Sequence, residues 1–165
     1  MRRLVAAVSL TTERIVRAVA QAAGNTHIES LSVAIVDDRT MAALHRRFLG
    51  DDRPTDVLTF DLRDDPRSAA LEGEIVVSAE MARREAARRG LDVGEELLRY
   101  VVHGALHLLG MDDRDAAGRR RMRRAENTVL RQCRRAGPSS GRSPAEHERS
   151  PSARRGSRLA ARSHR

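Results

Sequence analysis

The sequence is poor in cysteine and in aromatic residues and has no lysine, and the first two shortages each exclude a class of structure or function. A single cysteine, Cys133, excludes an internal disulfide framework and a four-cysteine zinc site. Aromatic residues make up 2% of the 165 residues, which is too few for extended base-stacking platforms. No apolar run reaches the eighteen residues that a membrane span needs. All 31 basic residues are arginine, and the formal net charge is +8.

The N-terminal segment has two arginines followed by apolar residues, as a signal peptide does. The apolar run from Leu4 to Val8 is too short for that role and is followed by the polar sequence TTER. We therefore expect a cytoplasmic protein with no membrane partner.

The spacing of apolar residues predicts an α+β fold, with strands concentrated in the first half and helices in the second. Strands are expected at Leu4–Val8, Leu31–Val36, Val57–Phe60 and Gly73–Ser78. Helices are expected at Thr12–Ala23, Asp38–Phe48, about 79–89, 93–109 and 114–135, with breaks at Gly90 and Gly110.

The composition changes near residue 137, which predicts one domain over residues 1–137 and a disordered tail over residues 138–165. The tail is rich in Ser, Pro and Arg and lacks apolar periodicity. It contains seven arginines and two glutamates, so most of the excess positive charge belongs to it. The tail either attracts RNA phosphates nonspecifically or is a dispensable solvated extension.

The most informative segment is VVHGALHLLGMDD at residues 101–113. His103 and His107 are four positions apart, so both imidazoles project from one face of a largely apolar, buried helix and can reach one cation. Gly110 can end this helix in a left-handed conformation, after which the chain can return Asp113 toward the histidines. Three such ligands leave a fourth zinc position for water, so these residues are the predicted metal-binding and catalytic group.

Gly104 occupies the position at which H-E-x-x-H peptidases carry their glutamate base. Its presence argues against a peptidase and leaves the general base unassigned. A glycine inside a helix costs roughly 1 kcal/mol relative to alanine. We therefore expect another part of the chain to pack closely against this point. Asp112 either orients a ligand histidine or caps the next helix, and capping is the preferred interpretation.

Residues 103–113 resemble the H-G-x-L-H-L-x-G-x-D-H motif of the YbeY family of bacterial endoribonucleases, except at the last position. The segment PTDVLTF at 54–60 resembles the P-T-D-V-L-S-F of that family, and Gly73–Ile75 resembles its G-D-I. Glu96 and Leu98 fall in the helix that precedes the motif. The similarity extends over about residues 30–130.

This resemblance implies a zincin-like α+β fold, with a small mixed sheet packed against helices and one zinc ion per chain on a buried helix. It implies a single-strand-specific endoribonuclease that matures the 3′ end of small-subunit rRNA and takes part in ribosome quality control. The implied partners are rRNA, the small ribosomal subunit and a ribosomal protein, and no DNA partner is expected. The alternative is a zinc-containing ribosome-assembly factor with weak or no catalysis.

Two departures from the family pattern affect these expectations. Asp113 stands where the family usually has histidine, so the site would carry less positive charge. We therefore expect lower hydrolytic activity or tolerance of manganese. The family also generally carries an arginine implicated in RNA processing where this chain has Leu49.

Arginines elsewhere are candidates for RNA binding. Arg46, Arg47 or Arg53 can supply a charge near Leu49. Arg120 and Arg124 lie on one stripe of the last helix, which either follows a phosphate backbone or is simply its solvated face. Thr55 and Asp56 either line the cleft beside the metal or fix the turn into the strand.

Overall fold

A computed structural model describes residues 10–51, 53–65 and 67–135, and the backbone of residues 160–164. In chain order, the helices and strands are α1 (Thr12–Ala23), β1 (Ile28–Val36), α2 (Asp38–Leu49), β2 (Val57–Asp61), β3 (Leu71–Ser78), α3 (Ala79–Arg89), α4 (Val93–Leu108), α5 (Ala116–Arg135) and β4 (Ala160–His164). The strand predicted at Leu4–Val8 lies outside the described residues.

The predicted helices are confirmed. They could be predicted because the residues at their ends carry strong local signals. Thr11 accepts a hydrogen bond from the backbone N–H of Arg14 and so caps the start of α1. Ser78 caps α3 in the same way, and Gly90 ends that helix in the left-handed conformation at φ 64°. Strand β1 begins at Ile28, three residues before the predicted start at Leu31.

The described strands form one mixed sheet in the order β1-β3-β2-β4. Strands β1 and β3 are parallel, whereas β2 runs antiparallel to both β3 and β4. This arrangement confirms the predicted small mixed sheet with helices packed against it.

Strand β4 lies within the segment for which disorder was predicted. Residues 136–159 are outside the described part of the chain, so that expectation stays a prediction for them. Residues 160–164 differ from it, because their backbone pairs with β2 from Val57 to Asp61. Without β4, strand β2 would be an edge of this sheet with unpaired backbone groups, and such an edge readily accepts another strand.

Alternate residues of the sheet pack against different helices. Ile75 and Val77 of β3 belong to the cluster that contains Val101 and Ala105 of α4. The intervening Val76 packs in a second cluster with Met41 of α2. Side chains in a strand alternate between its two faces, so α4 covers one face of the sheet and α2 the other.

Helix α4 is buried on two sides, which determines where its polar residues can lie. One side packs on the sheet, and the other contributes Leu98, Val102 and Leu106 to a cluster with α1 and α5. Twelve of its sixteen residues are buried. The predicted buried helix is therefore confirmed.

Among the described residues, no helix combines the length and the apolar character that crossing a bilayer requires.

Candidate metal centre and adjoining cleft

Helix α4 brings His103 and His107 together, as their spacing predicted. The two Nε2 atoms are 3.0 Å apart, and the ring centroids are separated by 4.5 Å. The His107 side chain is almost completely buried, whereas that of His103 is 16% exposed. His103 is therefore the histidine of the pair that is more accessible to solvent.

The turn after α4 places Asp113 beside both histidines. Gly110 adopts φ 91°, a conformation that strains any other residue, and the N–H of Met111 returns to the Leu106 carbonyl at 3.0 Å. Asp113 Oδ1 then lies 3.7 Å from His107 Nε2, and Asp113 Oδ2 lies 3.9 Å from His103 Nε2. One ligand atom from each of the three side chains lies within 4.8 Å of the others, a spacing that can hold one metal ion.

Hydrogen bonds on the far side of each imidazole define which ring nitrogen faces the cluster. His107 Nδ1 donates to the Met111 carbonyl at 2.9 Å, and His103 Nδ1 lies 2.6 Å from Glu126 Oε1. A carbonyl oxygen and an ionised carboxylate can only accept, so both Nδ1 atoms carry hydrogen. Each ring therefore turns its Nε2 atom toward the other ring and toward the Asp113 carboxylate. Two imidazole nitrogens and a carboxylate are a ligand set that fits a cation.

The acidity of His107 agrees with a role as a neutral ligand. Burial, followed by the nearby His103, lowers the pKa of His107 to about 4. The ring is therefore unprotonated near neutral pH, which is the form that binds a metal.

Glu126 is a partner of the site that the sequence did not indicate. Glu126 is only 8% exposed. It follows Met122 by four positions and precedes Val129 by three, so it lies on the apolar stripe of α5. An acidic residue in register with a buried stripe is the signal that could have identified it.

Gly104 faces the sheet, which confirms the predicted close packing. A Cβ atom at this position would lie 2.9 Å from Ile75 Cγ2 and 3.0 Å from Thr59 Cγ2. A glutamate here would have its carboxylate between α4 and the sheet. The chain thus lacks both the peptidase base and the space for it.

The capping role preferred for Asp112 is wrong. Asp115 caps α5 instead, because its Oδ1 accepts from the N–H of Gly118 at 2.5 Å. Asp112 Oδ1 accepts from the N–H of Arg114 within the turn, at 3.1 Å. The Asp112 carbonyl is so close to Gly118 that a Cβ there would collide with it, so Gly118 helps to hold this turn against α5.

A cavity of about 490 Å³ opens beside the histidines between α4 and α5. Its acidic lining residues include Asp56, Glu96, Asp113 and Glu126, and its basic lining residues are Arg89, Arg99, Arg119 and Arg123. Acidic and basic side chains therefore both line the cavity beside the cluster of His103, His107 and Asp113, in a space large enough for part of a polymer.

The cationic side chains of the cavity differ from those that the sequence indicated. Arg120 and Arg124 are exposed on α5 but do not line the cavity, whereas Arg119 and Arg123, one position earlier, do. One residue turns a helix by about 100°, so the stripe that reaches the cleft is the neighbouring one. Arg119 donates to the carbonyls of Asp113 and Arg114, which ties it to the ligand-bearing turn.

The other arginine candidates lie near the end of α2. Arg46 and Arg47 are exposed, and Arg53 is held by Asp51 at 2.5 Å. Leu49, at the family arginine position, is 37% exposed. None of the three arginines lines the cavity beside the histidines.

His45 on α2 is buried. Its Nδ1 lies 2.7 Å from the Arg53 carbonyl and so connects α2 to the loop before β2. This contact is structural.

Thr55 and Asp56 serve the turn into β2, and Asp56 also lines the cleft. The Thr55 hydroxyl donates to the Val57 carbonyl at 3.3 Å and is buried. Asp56 Oδ1 accepts from the N–H of Val57 at 2.9 Å, while its carboxyl group borders the cavity with His103. Burial raises the pKa of Asp56.

Comparison with known proteins gives the family of the chain. A family model described as "Endoribonuclease YbeY" matches residues 4–134. The chain belongs to the YbeY family. Two relatives named "Endoribonuclease YbeY" are 45% identical over 101 residues in Anaeromyxobacter sp. (strain Fw109-5) and 36% identical over 129 residues in Moorella thermoacetica. These alignments cover 61% and 73% of this chain.

A solved structure also resembles the chain. The solution structure of TM1509 from Thermotoga maritima is 29% identical, with a TM-score of 0.52, and the match covers 82% of this chain and 88% of that one. The matched region spans about half the length of the Anaeromyxobacter sp. relative, at 53%, and of a relative of the same name from Anaeromyxobacter dehalogenans, at 52%. It spans 83% of the Moorella protein.

Proposed function

We propose that this member of the YbeY family is a metal-dependent endoribonuclease that cleaves single-stranded RNA. The observation that carries the proposal is the cluster of His103, His107 and Asp113, of which His103 and Asp113 line a cavity that four arginines also border. The names of the relatives support RNA as the substrate. The motif resemblance extends the proposal to 3′-end maturation of small-subunit rRNA and ribosome quality control in the cytoplasm, in contact with the small subunit or one of its proteins.

The proposed cofactor is one zinc ion per chain, held by His103 Nε2, His107 Nε2 and an Asp113 carboxylate oxygen. Two imidazoles and one carboxylate are a usual ligand set for catalytic zinc. With two histidines one turn apart on a buried helix, the site supports the zincin-like classification of the fold. When bound, the ion would supply a Lewis acid at the phosphorus and a water of lowered pKa.

The side chains around the cluster have separate tasks in this proposal. The Arg123 guanidinium lines the cavity and has no hydrogen bond or ion pair with another described residue, so it can bind a backbone phosphate. Arg119 holds the turn that carries Asp113. The Asp56 carboxyl group borders the cavity with His103 and is our candidate for accepting the proton of the attacking water.

The role of Asp56 is tested with Asp56→Asn, which keeps the size of the side chain. Loss of general-base catalysis typically slows a reaction by about 10²–10⁴-fold. We expect a slower cleavage rate and an unchanged zinc affinity. An unchanged cleavage rate would show that Asp56 is not the group that accepts the proton.

The function itself is tested by incubating metal-loaded protein with a single-stranded fragment of small-subunit rRNA, beside a His107→Ala variant purified in the same way. We expect the wild-type protein to cleave the fragment and His107→Ala to leave it intact. Cleavage that survives in His107→Ala would come from a contaminating nuclease. Binding of the fragment without cleavage would favour the alternative, an assembly factor that retains zinc for structure, which the replacements at Asp113 and Leu49 motivate.

A further inference from the structure

Glu126 is a buried carboxylate whose only described partners belong to α4. Its Oε1 lies 2.6 Å from His103 Nδ1, and its Oε2 lies 3.4 Å from the Arg99 guanidinium. Arg99 precedes His103 by four positions, so both partners project from the same face of α4. One acidic side chain of α5 therefore contacts a cation and a metal-ligand histidine on the neighbouring helix.

Packing alone does not account for an acidic residue at this point. Glu126 lies on the apolar stripe of α5, where an aliphatic side chain would pack against Met122 and Val129 without desolvating a charge. Burying a carboxylate is costly unless charged or hydrogen-bonding partners compensate it. Here Arg99 compensates Oε2, and Oε1 accepts the hydrogen of His103 Nδ1.

We propose that Glu126 is a positioning residue for the metal ligand His103, an inference that rests on the metal site in the proposed function. By accepting the Nδ1 hydrogen, Glu126 holds the ring in the tautomer whose Nε2 lone pair faces His107 and Asp113. An ionised acceptor also makes the opposite ring nitrogen a stronger electron donor to a metal. Arg99 supports this arrangement by holding the second oxygen of Glu126.

The two histidines are held by different kinds of partner. His107 donates to a neutral backbone carbonyl of the turn, at Met111, whereas His103 donates to a charged side chain. Because the carbonyl belongs to the backbone, no side-chain substitution removes it directly. Glu126 is the side chain through which the orientation and basicity of the pair can be changed without replacing a ligand.

The test measures zinc affinity by competition with a chromophoric chelator for the wild-type protein, Glu126→Gln and Glu95→Gln. Glu95 is the matched control because it also lies between helices, pairing with Arg14 and with Arg134 of α5, but it does not contact the histidines. Removal of an outer partner of a metal-bound histidine typically weakens binding by about 10–100-fold. We expect a loss of this size in Glu126→Gln and less than about 3-fold in Glu95→Gln.

A second readout needs no bound metal. Two-bond ¹H–¹⁵N spectra of the metal-free protein at pH 8 report which nitrogen of His103 carries hydrogen. We expect the Nδ1–H form in the wild-type protein and a larger share of the Nε2–H form in Glu126→Gln. If Glu126→Gln does not fold, Glu126→Asp serves instead, because it keeps the charge and withdraws the carboxylate by one methylene group.

Each outcome distinguishes this proposal from the function on which it rests. Weaker zinc binding in Glu126→Gln, together with the changed tautomer, supports the positioning role even if the wild-type protein fails to cleave RNA. If Glu126→Gln binds zinc with an affinity within about 2-fold of the wild type, the positioning role is wrong, whereas the metal site still stands. A wild-type protein that binds no zinc overturns both.

Discussion

The contact between Gly104 and the sheet leads to a quantitative prediction about stability. In Gly104→Ala, the new methyl group would lie 2.9 Å from Ile75 Cγ2 and 3.0 Å from Thr59 Cγ2. Both neighbours are buried on central strands of the sheet, so neither can turn into solvent. Helix α4 must move away from the sheet, or the two strands must shift.

The magnitude follows from two opposing effects. Alanine is about 1 kcal/mol better than glycine inside a helix, which favours the variant. Adding a methyl group to a well-packed core typically costs about 1–3 kcal/mol. Since two separate atoms obstruct the methyl group, we expect a net loss on the order of 1 kcal/mol in the free energy of unfolding, which lowers Tm by about 3 °C.

Urea denaturation of Gly104→Ala, Thr59→Ser and the double variant tests this contact. Thr59→Ser removes the Cγ2 atom at 3.0 Å, so the double variant should recover part of the loss, with a coupling energy of at least about 0.5 kcal/mol. A Gly104→Ala protein that gains the full helix-propensity stabilisation, with additive effects in the double variant, would refute the close packing.

Three further predictions concern the cleft. Burial raises the pKa of Glu96, so the folded protein holds that proton more tightly and the stability of the protein falls as pH rises above about 4.5. The stability of Glu96→Gln relative to the wild type should therefore increase between pH 4 and pH 8. A difference in stability that does not change with pH would contradict this. Arg123→Gln should weaken single-stranded RNA binding and reduce the salt dependence of the binding constant, on logarithmic axes, by about 0.7, whereas substitution of the exposed Arg120 by Gln should do neither. Equal salt dependence in the two variants would show that Arg123 does not contact a phosphate. Asp113→His should raise cleavage with zinc and reduce activity with manganese, and equal rates and metal preference would show that the third ligand does not tune the site.

The helices and the proximity of His103, His107 and Asp113 could be predicted from the sequence because their signals are local. The i, i+4 spacing of His103 and His107 and the glycine at 110 depend on helix geometry within eleven residues. The close approach at Gly104 was likewise indicated by the cost of a glycine in a helix. The atoms that it meets, on β2 and β3, could not be identified without the sheet.

Contacts between α4 and α5 were harder to predict. To predict that Arg119 and Arg123 line the cavity, one must know how α5 is rotated about its axis. A rotation equivalent to one residue would place Arg120 and Arg124 there instead. Because α5 starts at Ala116, the residue that caps it is Asp115 and not the predicted Asp112. Glu126 was overlooked because its partner, His103, is 23 positions away in the sequence.

The central claim is that one metal ion at His103, His107 and Asp113 supports RNA cleavage. It is tested most directly by stripping the protein with a chelator and measuring single-stranded RNA cleavage as zinc is returned in fractions of an equivalent. We predict a rate that rises linearly and reaches a plateau at one zinc per chain, with no rise in His107→Ala. Cleavage by the stripped protein at the full rate, or an increase that His107→Ala shares, would contradict the claim.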